Sequence, residues 1–328
     1  MAEPALLEIK NLQVHFEVYG GRLKVLDGIN MTVAAGEKVG LVGETGCGKT
    51  TTMKAVLRVL PMPPARILPG AEICFKGRDI LKMGPHDLQA VRGRGISMIF
   101  QDPTAALNPV FTIGQQLEAV IAQTGPNGAA LSRREVQQHA VASLQEVALA
   151  DPERLLRSYP AQLSGGMRQR VCIGMALATR PALLIADEPG TSLDVTIQDQ
   201  ILRLLRALVV NKNTSVILIT HTLGIVRELT DRVYVMYAGN VVESASTSAL
   251  FEKALHPYAQ GLMETVPRLT GGGIASGIPG RIPDYLNPPS GCRFHPRCQH
   301  AMDICRTHKP PAFRVADGHE VACFLYQS

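Results

Sequence analysis

Alternating hydrophobic and polar positions open the chain and predict β-strands. Residues 6–16 alternate and are rich in strand-forming types, residues 24–33 repeat the pattern, and residues 37–42 lead into a glycine. Shorter strands are predicted at residues 71–75 and 96–100.

Helical spacing follows in two places. From Thr50 the chain is predicted to be helical through about Leu60, where the prolines at 61, 63 and 64 stop it. A longer stretch, residues 102–165, has segments with helical spacing and no strong strand pattern, such as residues 113–123 and 133–148. We interpret it as a helical subdomain inserted into an α/β body.

Two short apolar runs, residues 182–186 and 215–220, are typical of parallel strands covered on both faces. The helix between them is predicted to start near Asp194. Its apolar stripe consists of Ile197, Ile201, Leu204, Leu205 and Leu208. Strand–helix–strand alternation predicts a mostly parallel α/β sheet with right-handed connections, beside an antiparallel β part.

Composition and charge are those of an ordinary globular protein. Of 328 residues, 46% are hydrophobic and 19% charged, and the net charge of +5 comes from scattered Lys and Arg. We therefore expect a solvated surface and no nucleic-acid patch. The start of the chain lacks a signal-peptide layout, and no window approaches the roughly 18 apolar residues of a membrane span. The protein is expected to be soluble, or bound to a membrane only through a partner.

One glycine-rich segment fits the pattern G-x-x-x-x-G-K-[ST] of a phosphate-binding loop. Its residues are Gly43, Glu44, Thr45, Gly46, Cys47, Gly48, Lys49 and Thr50. The segment follows a predicted strand and opens a predicted helix, which is the context that the pattern requires. Its backbone N–H groups and the helix N-terminus favour phosphate. Lys49 is expected to reach the β- and γ-phosphates, and the Thr50 hydroxyl to bind Mg²⁺.

A second motif, a pair of acidic residues, indicates that the nucleotide site hydrolyses ATP. Asp187 and Glu188 follow the apolar run 183–186 directly. Asp187 is placed to hold Mg²⁺ through water, and Glu188 to orient and polarise the attacking water. Two acids that merely cap a strand are the plainer alternative, but Mg·ATP hydrolysis needs such a pair beside a phosphate-binding loop.

A second anion-binding helix end is predicted at Ser164, Gly165 and Gly166, where a serine N-cap precedes a helix. Residues 163–170 read L-S-G-G-M-R-Q-R and resemble the signature of the ABC ATPase family. In that family the signature of one subunit closes over ATP held by another. The resemblance covers roughly residues 6–245 and implies a P-loop ABC-type ATPase core.

The same resemblance assigns further site residues. Gln101 corresponds to the loop glutamine that senses Mg²⁺, Asp194 in Ser192-Leu193-Asp194 to the D-loop, and His221 to the switch histidine at the γ-phosphate. Phe16 lies where the family stacks an aromatic ring on adenine, with Tyr19 as the alternative.

The family likeness also places Thr51 at the nucleotide. Three positions depart from the usual family pattern: Cys47 in place of serine, Gly190 in place of threonine, and Thr222 in place of aspartate. None of them removes a catalytic group; Thr222 is expected to change how the histidine is held and hence the turnover rate rather than the reaction.

The carboxyl-terminal part resembles that of oligopeptide/dipeptide importer ATPases through His256-Pro257-Tyr258. The resemblance implies domains at 1–250 and 251–328, a second and different ATPase subunit, two permeases and an extracytoplasmic solute-binding protein. It implies a location on the cytoplasmic face of a bacterial membrane. Peptides are the expected cargo; sugars, opines, glutathione and nickel complexes are alternatives, as is a soluble ABC ATPase outside transport.

Four of the seven cysteines crowd the end of the chain: Cys292, Cys298, Cys305 and Cys323. Five, six and seventeen residues separate them, so they lack the two close Cys-x-x-Cys pairs of zinc knuckles. Thiolates select zinc or iron–sulfur clusters, and cluster ligation tolerates such loop spacings. The importer family includes members with a [4Fe–4S] cluster, which is the expectation here. Zinc, reduced thiols and disulfides are the alternatives.

Overall fold

The computed structural model describes residues 5–122, 131–191, 193–212, 214–265 and 277–327. In chain order the strands are β1 (Leu7–Val18), β2 (Gly21–Val33), β3 (Lys38–Val42), β4 (Ala65–Ile67), β5 (Glu72–Phe75), β6 (Arg78–Asp79), β7 (Ile96–Ile99), β8 (Leu183–Asp187), β9 (Ser215–Ile219), β10 (Arg232–Tyr237), β11 (Asn240–Ser246), β12 (Phe313–Ala316) and β13 (His319–Val321).

The α-helices are α1 (Lys49–Val56), α2 (Pro85–Val91), α3 (Pro103–Ala106), α4 (Ile113–Ile121), α5 (Arg133–Glu146), α6 (Pro152–Leu156), α7 (Gly165–Ala178), α8 (Val195–Lys212), α9 (Leu223–Leu229), α10 (Thr247–Glu252), α11 (Pro257–Glu264) and α12 (Asp303–Thr307). Short 3₁₀ turns lie at Ile80–Lys82, Pro160–Gln162, His295–Arg297 and Phe324–Tyr326. The chain divides into two units, one of residues 1–82 and 218–328 and one of residues 83–217.

The first unit contains an antiparallel sheet around β1. This strand pairs antiparallel with β2, β4 and β5, and β5 pairs with β6. Its inward positions Leu7, Ile9, Leu12 and Val14 are almost fully buried, as a half-buried strand requires. The antiparallel β region expected from the sequence is therefore present.

A second set of strands in this unit runs in the order β12–β13–β11–β10–β3. Only the pair β3 and β10 is parallel; the other neighbours are antiparallel. At Gly40 in β3 an added Cβ would lie 2.9 Å from a methyl carbon of Val226, so α9 packs closely over this strand. The buried core also includes Tyr237, Tyr258 and Phe294, and so draws on the carboxyl-terminal part of the chain.

Helix α1 is shorter than its sequence pattern predicts. It begins at Lys49, one residue earlier than expected, and ends at Val56 rather than near Leu60. The residue Arg58 takes a left-handed conformation with φ of 52°, which an α-helix cannot continue through. The chain therefore leaves the helix before the prolines, and the predicted end was wrong.

The second unit pairs β7 and β8 in parallel, with Ile99 opposite Ala186. Between residues 102 and 163, the described part of the chain contains helices α3 to α6 and no strand. Capping boxes begin α4 at Thr112 and α5 at Ser132, where each hydroxyl accepts from the third backbone N–H of its helix. Within the described ranges, no helix combines the length and apolar character needed to cross a bilayer.

Candidate functional site

The predicted phosphate-binding loop connects β3 to α1. Gly43, Gly46 and Gly48 have φ values of 150°, 86° and 107°, which favour glycine. A Cβ on Gly43 would lie 2.2 Å from the backbone oxygen of Met236, so no side chain fits there. The glycines of the loop and its strand–loop–helix context are therefore as the sequence predicts.

Lys49 lies inside this loop. It is 5% exposed, and its ammonium group donates to the backbone oxygens of Gly43 at 2.8 Å and Glu44 at 3.1 Å. A buried ammonium surrounded by loop backbone is placed to bind anionic oxygens. Thr50 and Thr51 follow in the first turn of α1.

Cys47 occupies the position where the family usually has serine. It is fully buried, and burial raises the pKa of its thiol above the usual value. The Lys49 ammonium lies 3.7 Å from its sulfur, and the backbone oxygen of Cys47 accepts from the N–H of Gly239 at 2.9 Å. The cysteine is thus a neutral packing residue of the loop.

The acidic pair lies at the carboxyl end of β8, whose residues are all buried. Asp187 is 1% and Glu188 is 9% exposed. The Gln101 side-chain amide donates to the Glu188 carboxylate at 2.8 Å, because the parallel strands β7 and β8 end at the same edge. The structure therefore brings two of the predicted catalytic residues into direct contact.

A tight turn follows Glu188, which itself has a φ of 45°. The Thr191 hydroxyl donates to the Glu188 carboxylate at 3.0 Å, and the N–H of Gly190 donates to the Glu188 backbone oxygen at 2.6 Å. Asp194 accepts from the N–H of Ile197 at 3.0 Å and caps the start of α8. Ser192 of the predicted D-loop lies outside the described residues.

The predicted signature begins α7. Ser164 is the N-cap, and its hydroxyl accepts from the N–H of Met167 at 3.3 Å. Added Cβ atoms on Gly165 and Gly166 would lie 3.1 and 3.0 Å from side-chain carbons of Leu193 and Ile197. The glycines therefore keep this helix end close to the start of α8, and Ser164 itself stays exposed.

Two further predicted residues lie in the first unit. Phe16 is half-buried in β1, opposite Leu23 and Ala65, whereas Tyr19 is fully exposed at the end of the hairpin. His221 is exposed and follows β9 by two residues. Thr222 is the N-cap of α9 but makes no side-chain capping bond.

Three contacts on the phosphate-binding loop were not predicted from the sequence. The Tyr258 hydroxyl accepts from the backbone N–H of Glu44, the Tyr285 hydroxyl donates to the backbone oxygen of Gly46, and Arg297 forms an ion pair with the Glu44 carboxylate. More than 200 residues separate the partners in each case, so no local pattern signals them.

The four clustered cysteines line one small cavity together with His256, Phe294, His295, His300 and Phe324. All seven cysteines of the chain are free thiols. Burial raises the pKa of Cys292 to about 11 and raises that of Cys298 and Cys323, with smaller contributions from neighbouring thiols. Within the described ranges, no three His, Cys, Asp or Glu side chains are arranged around a single metal-ion position.

Comparison with protein families gives two matches. A model described as "ABC transporter" matches residues 26–191. A model described as "Oligopeptide/dipeptide transporter, C-terminal region" matches residues 242–305. The two matches include the phosphate-binding loop, the acidic pair, the H-P-Y tripeptide and three of the four clustered cysteines.

Curated relatives are similar over nearly the whole chain. The oligopeptide transport ATP-binding protein OppD of Bacillus subtilis is 43% identical over 98% of this chain and 88% of its own length. The dipeptide transport ATP-binding protein DppD of the same species is 42% identical over 98% and 94%. A probable peptide ABC transporter ATP-binding protein of Sinorhizobium fredii, y4tR, is 45% identical over 97% and 94%.

Solved structures show the same fold. The ATP-binding cassette MJ0796, in a dimeric post-hydrolysis state with ADP and phosphate, has a TM-score of 0.64 at 24% identity, over 74% of this chain and 98% of that one. CbiO1 from Clostridium perfringens, part of the ABC transporter complex cbiONQ, has a TM-score of 0.62 at 25% identity, over 76% and 92%. The predicted P-loop ATPase fold is thereby confirmed.

Proposed function

The chain belongs to the ABC transporter ATP-binding proteins of the oligopeptide/dipeptide class, and we propose that it is the ATP-hydrolysing subunit of a peptide importer. One observation carries this most directly: the buried Glu188 carboxylate directly follows β8 and accepts a hydrogen bond from Gln101. The phosphate-binding loop with its buried lysine would bind the ATP that Glu188 helps to hydrolyse.

ATP is bound by the loop of residues 43–50 and by Thr51. The Lys49 ammonium neutralises charge on the β- and γ-phosphates, and Phe16 stacks on the adenine. The Thr50 hydroxyl, the Gln101 amide and the Asp187 carboxylate would hold Mg²⁺, since oxygen donors of this kind suit that cation. Bound Mg²⁺ neutralises charge that develops on the phosphates.

Hydrolysis depends on the residues around the acidic pair. The Glu188 carboxylate accepts a proton from the attacking water and orients it for in-line attack on the γ-phosphorus. His221 contacts the γ-phosphate. Gln101 fixes the orientation of Glu188 through the hydrogen bond that it already makes.

A second subunit completes the site. The exposed N-terminal end of α7, with Ser164, Gly165 and Gly166, serves an ATP held by a partner ATPase, and Asp194 lies at the same interface. A different chain is the proposed partner. ATP binding then favours the closed pair through contacts made only in that state.

Peptide uptake requires membrane partners. Two permeases carry the cargo, an extracytoplasmic solute-binding protein delivers it, and this subunit sits at the cytoplasmic face of the membrane. In this proposal residues 1–250 form the nucleotide-binding domain, with a helical subdomain at about 102–165 that contacts the permeases. Residues 251–328 form the extension.

The extension would hold a [4Fe–4S] cluster through Cys292, Cys298, Cys305 and Cys323. Four free thiols that line one cavity are the donor set that iron–sulfur clusters use. Such a group would stabilise the fold of the segment that carries the four thiols, residues 292–323.

Uptake measurements test the main proposal. Bacterial cells that lack their own peptide importers are supplied with this chain and its partner subunits, and entry of a radiolabelled oligopeptide is followed. Lys49→Ala is expected to abolish uptake, whereas the control Lys54→Ala in the same helix keeps it. Uptake that persists in Lys49→Ala would refute the proposed role.

A further inference from the structure

Side chains from beyond residue 250 hold the first half of the phosphate-binding loop. The Tyr258 hydroxyl accepts from the backbone N–H of Glu44 at 2.8 Å. The Tyr285 hydroxyl donates to the backbone oxygen of Gly46, also at 2.8 Å. Tyr258 is fully buried and Tyr285 is half-buried, and burial raises the pKa of both phenols, so they stay neutral.

Arg297 forms an ion pair with the side chain of Glu44. Its two terminal nitrogens donate to the two carboxylate oxygens at 2.8 and 3.0 Å, which is a bidentate pair. The side chain of Arg297 is 6% exposed, against 29% for Glu44. Such a shielded pair is stronger than an exposed surface pair.

The guanidinium of Arg297 is itself fixed. Its Nε donates to the backbone oxygen of Pro279 at 2.8 Å and one terminal nitrogen to that of Ile278 at 3.0 Å. The group also lies 5.6 Å from the ring centre of Tyr237. A guanidinium with its fork already oriented loses little entropy when it holds a carboxylate.

A further contact from the extension supports the later half of the loop indirectly. Arg293 donates to the backbone oxygen of Ala238 at 2.6 Å, in the turn that connects β10 to β11. The next residue, Gly239, donates its N–H to the backbone oxygen of Cys47 at 2.9 Å. The extension therefore contacts the loop directly at Glu44 and Gly46 and through this turn at Cys47.

Charge makes the Glu44 contact important for ligand binding. Glu44 places a carboxylate inside a loop that has to accept a triphosphate, and like charges at short range oppose binding. The paired guanidinium of Arg297 cancels that charge. The removal of Arg297 would leave the carboxylate to repel the nucleotide, while the removal of both groups would take away the repulsion as well.

We propose that Arg297 is a positioning residue of the nucleotide site, which neutralises Glu44 and, with Tyr258 and Tyr285, fixes the loop for ATP. The extension thus sets the affinity of the core for nucleotide. The inference rests on the proposed role of residues 43–50 as the ATP site.

The test measures the Kd of a fluorescent ATP analogue on the full chain with its partner subunits. Arg297→Gln is expected to raise the Kd about tenfold, because the Glu44 carboxylate is left unpaired. Glu44→Gln, which leaves the Arg297 charge available to phosphate, is expected to lower the Kd about threefold. The double variant Glu44→Gln/Arg297→Gln should recover most of the affinity lost in Arg297→Gln, which also shows that the protein still folds.

If the Arg297–Glu44 pair only stabilised the fold, the variants would show a different pattern of Kd values. Each single variant would then raise the Kd equally, and the double variant would not recover; that result overturns the proposal, as does an unchanged Kd in Arg297→Gln. Tyr258→Phe, which removes only the acceptor for the Glu44 N–H, is expected to raise the Kd about threefold.

Arg314→Gln is the matched control, since Arg314 lies in the same extension but pairs with Asp317 at the surface. It should bind as the unaltered protein does. If the unaltered protein fails to bind ATP at all, the proposed function is refuted; if it binds and the variants bind equally well, only the role of Arg297 is refuted.

Discussion

The Gln101 side-chain amide donates a hydrogen bond to the Glu188 carboxylate over 2.8 Å. Thr191 donates to the same carboxylate oxygen, so two donors hold the group in place. Glu188 also has a left-handed backbone conformation, which non-glycine residues adopt at a cost. A strained, doubly held carboxylate at the end of a buried strand is typical of a group that acts on substrate.

Glu188→Gln is therefore expected to stop hydrolysis and spare ATP binding. The amide oxygen still accepts from Gln101, so the fold is kept, but an amide cannot accept the proton of the attacking water. We expect kcat to fall at least about 100-fold with an ATP Kd within about twofold of the original. Phosphate release and analogue binding are measured in parallel. Glu153→Gln, at an exposed site, is the control, and full hydrolysis in Glu188→Gln would disprove the assignment.

Gly43→Ala is expected to destabilise the protein far more than Gly77→Ala. Both positions have left-handed backbones, which costs an alanine about 1 kcal/mol. At Gly43 the new Cβ would also lie 2.2 Å from a backbone oxygen, whereas at Gly77 nothing lies within 4 Å. The difference in unfolding free energy, from urea titrations, should be at least about 2 kcal/mol. Equal losses in the two variants would contradict the packing described at the loop.

His256 should make stability fall in acid. It is 1% exposed, its Nδ1 accepts from the N–H of Tyr258 at 3.0 Å, and burial lowers its pKa from 6.5 to about 3. Below pH 6.5 the unfolded chain binds a proton at this residue and the folded chain does not. The contribution of the neutral His256 to the unfolding free energy is therefore fully present above pH 6.5. It is lost progressively as the pH falls toward 3.

His256→Asn tests this directly, because asparagine keeps a capping acceptor without the titration. Between pH 7.5 and pH 5 the original protein should lose about 2 kcal/mol more unfolding free energy than the variant. Urea titrations of both proteins at the two pH values give this difference. Parallel losses would show that the buried imidazole does not control the response to acid.

Cys323→Ser is expected to reduce iron and sulfide content in protein purified without oxygen. The proposed cluster needs all four thiols that line the cavity. Iron and acid-labile sulfide are counted chemically, and absorbance near about 400 nm is recorded as a signature of iron–sulfur ligation. Cys74→Ser, which alters a half-buried cysteine in β5, should leave the content unchanged. If the unaltered protein lacks iron and sulfide, the cluster assignment is wrong.

Sequence pattern predicts the local elements of this protein well. The strands β1, β2, β3, β5 and β7 and the helices around the phosphate-binding loop and signature lie where periodicity and glycine spacing indicate. The end of α1 was misplaced because the left-handed Arg58 leaves no local trace in the hydrophobic pattern. The strands β12 and β13 were also not predicted, since they are short and lie in a part of the chain to which the hydrophobic pattern assigned no element.

Long-range contacts could not be predicted at all. The Glu44–Arg297 pair joins positions 253 residues apart, and neither residue belongs to a periodic pattern that reports its partner. The H-P-Y tripeptide identified a family but not the role of its tyrosine, which became visible only when Tyr258 was found on the loop backbone. A site built from neighbouring residues can be predicted from the sequence. Contacts between residues far apart along the chain become visible only in the structure.

The pairing of β13 with β11 has a consequence for how this chain can be shortened. Glu243 and Ser244 of β11 lie opposite Val321 and Glu320, so the last segment of the chain covers one side of that strand. A fragment that ends after α10 would expose unpaired N–H and C=O groups along β11. Strands of other copies can then pair with this exposed edge. Such a fragment is expected to self-associate and precipitate even with its phosphate-binding loop intact.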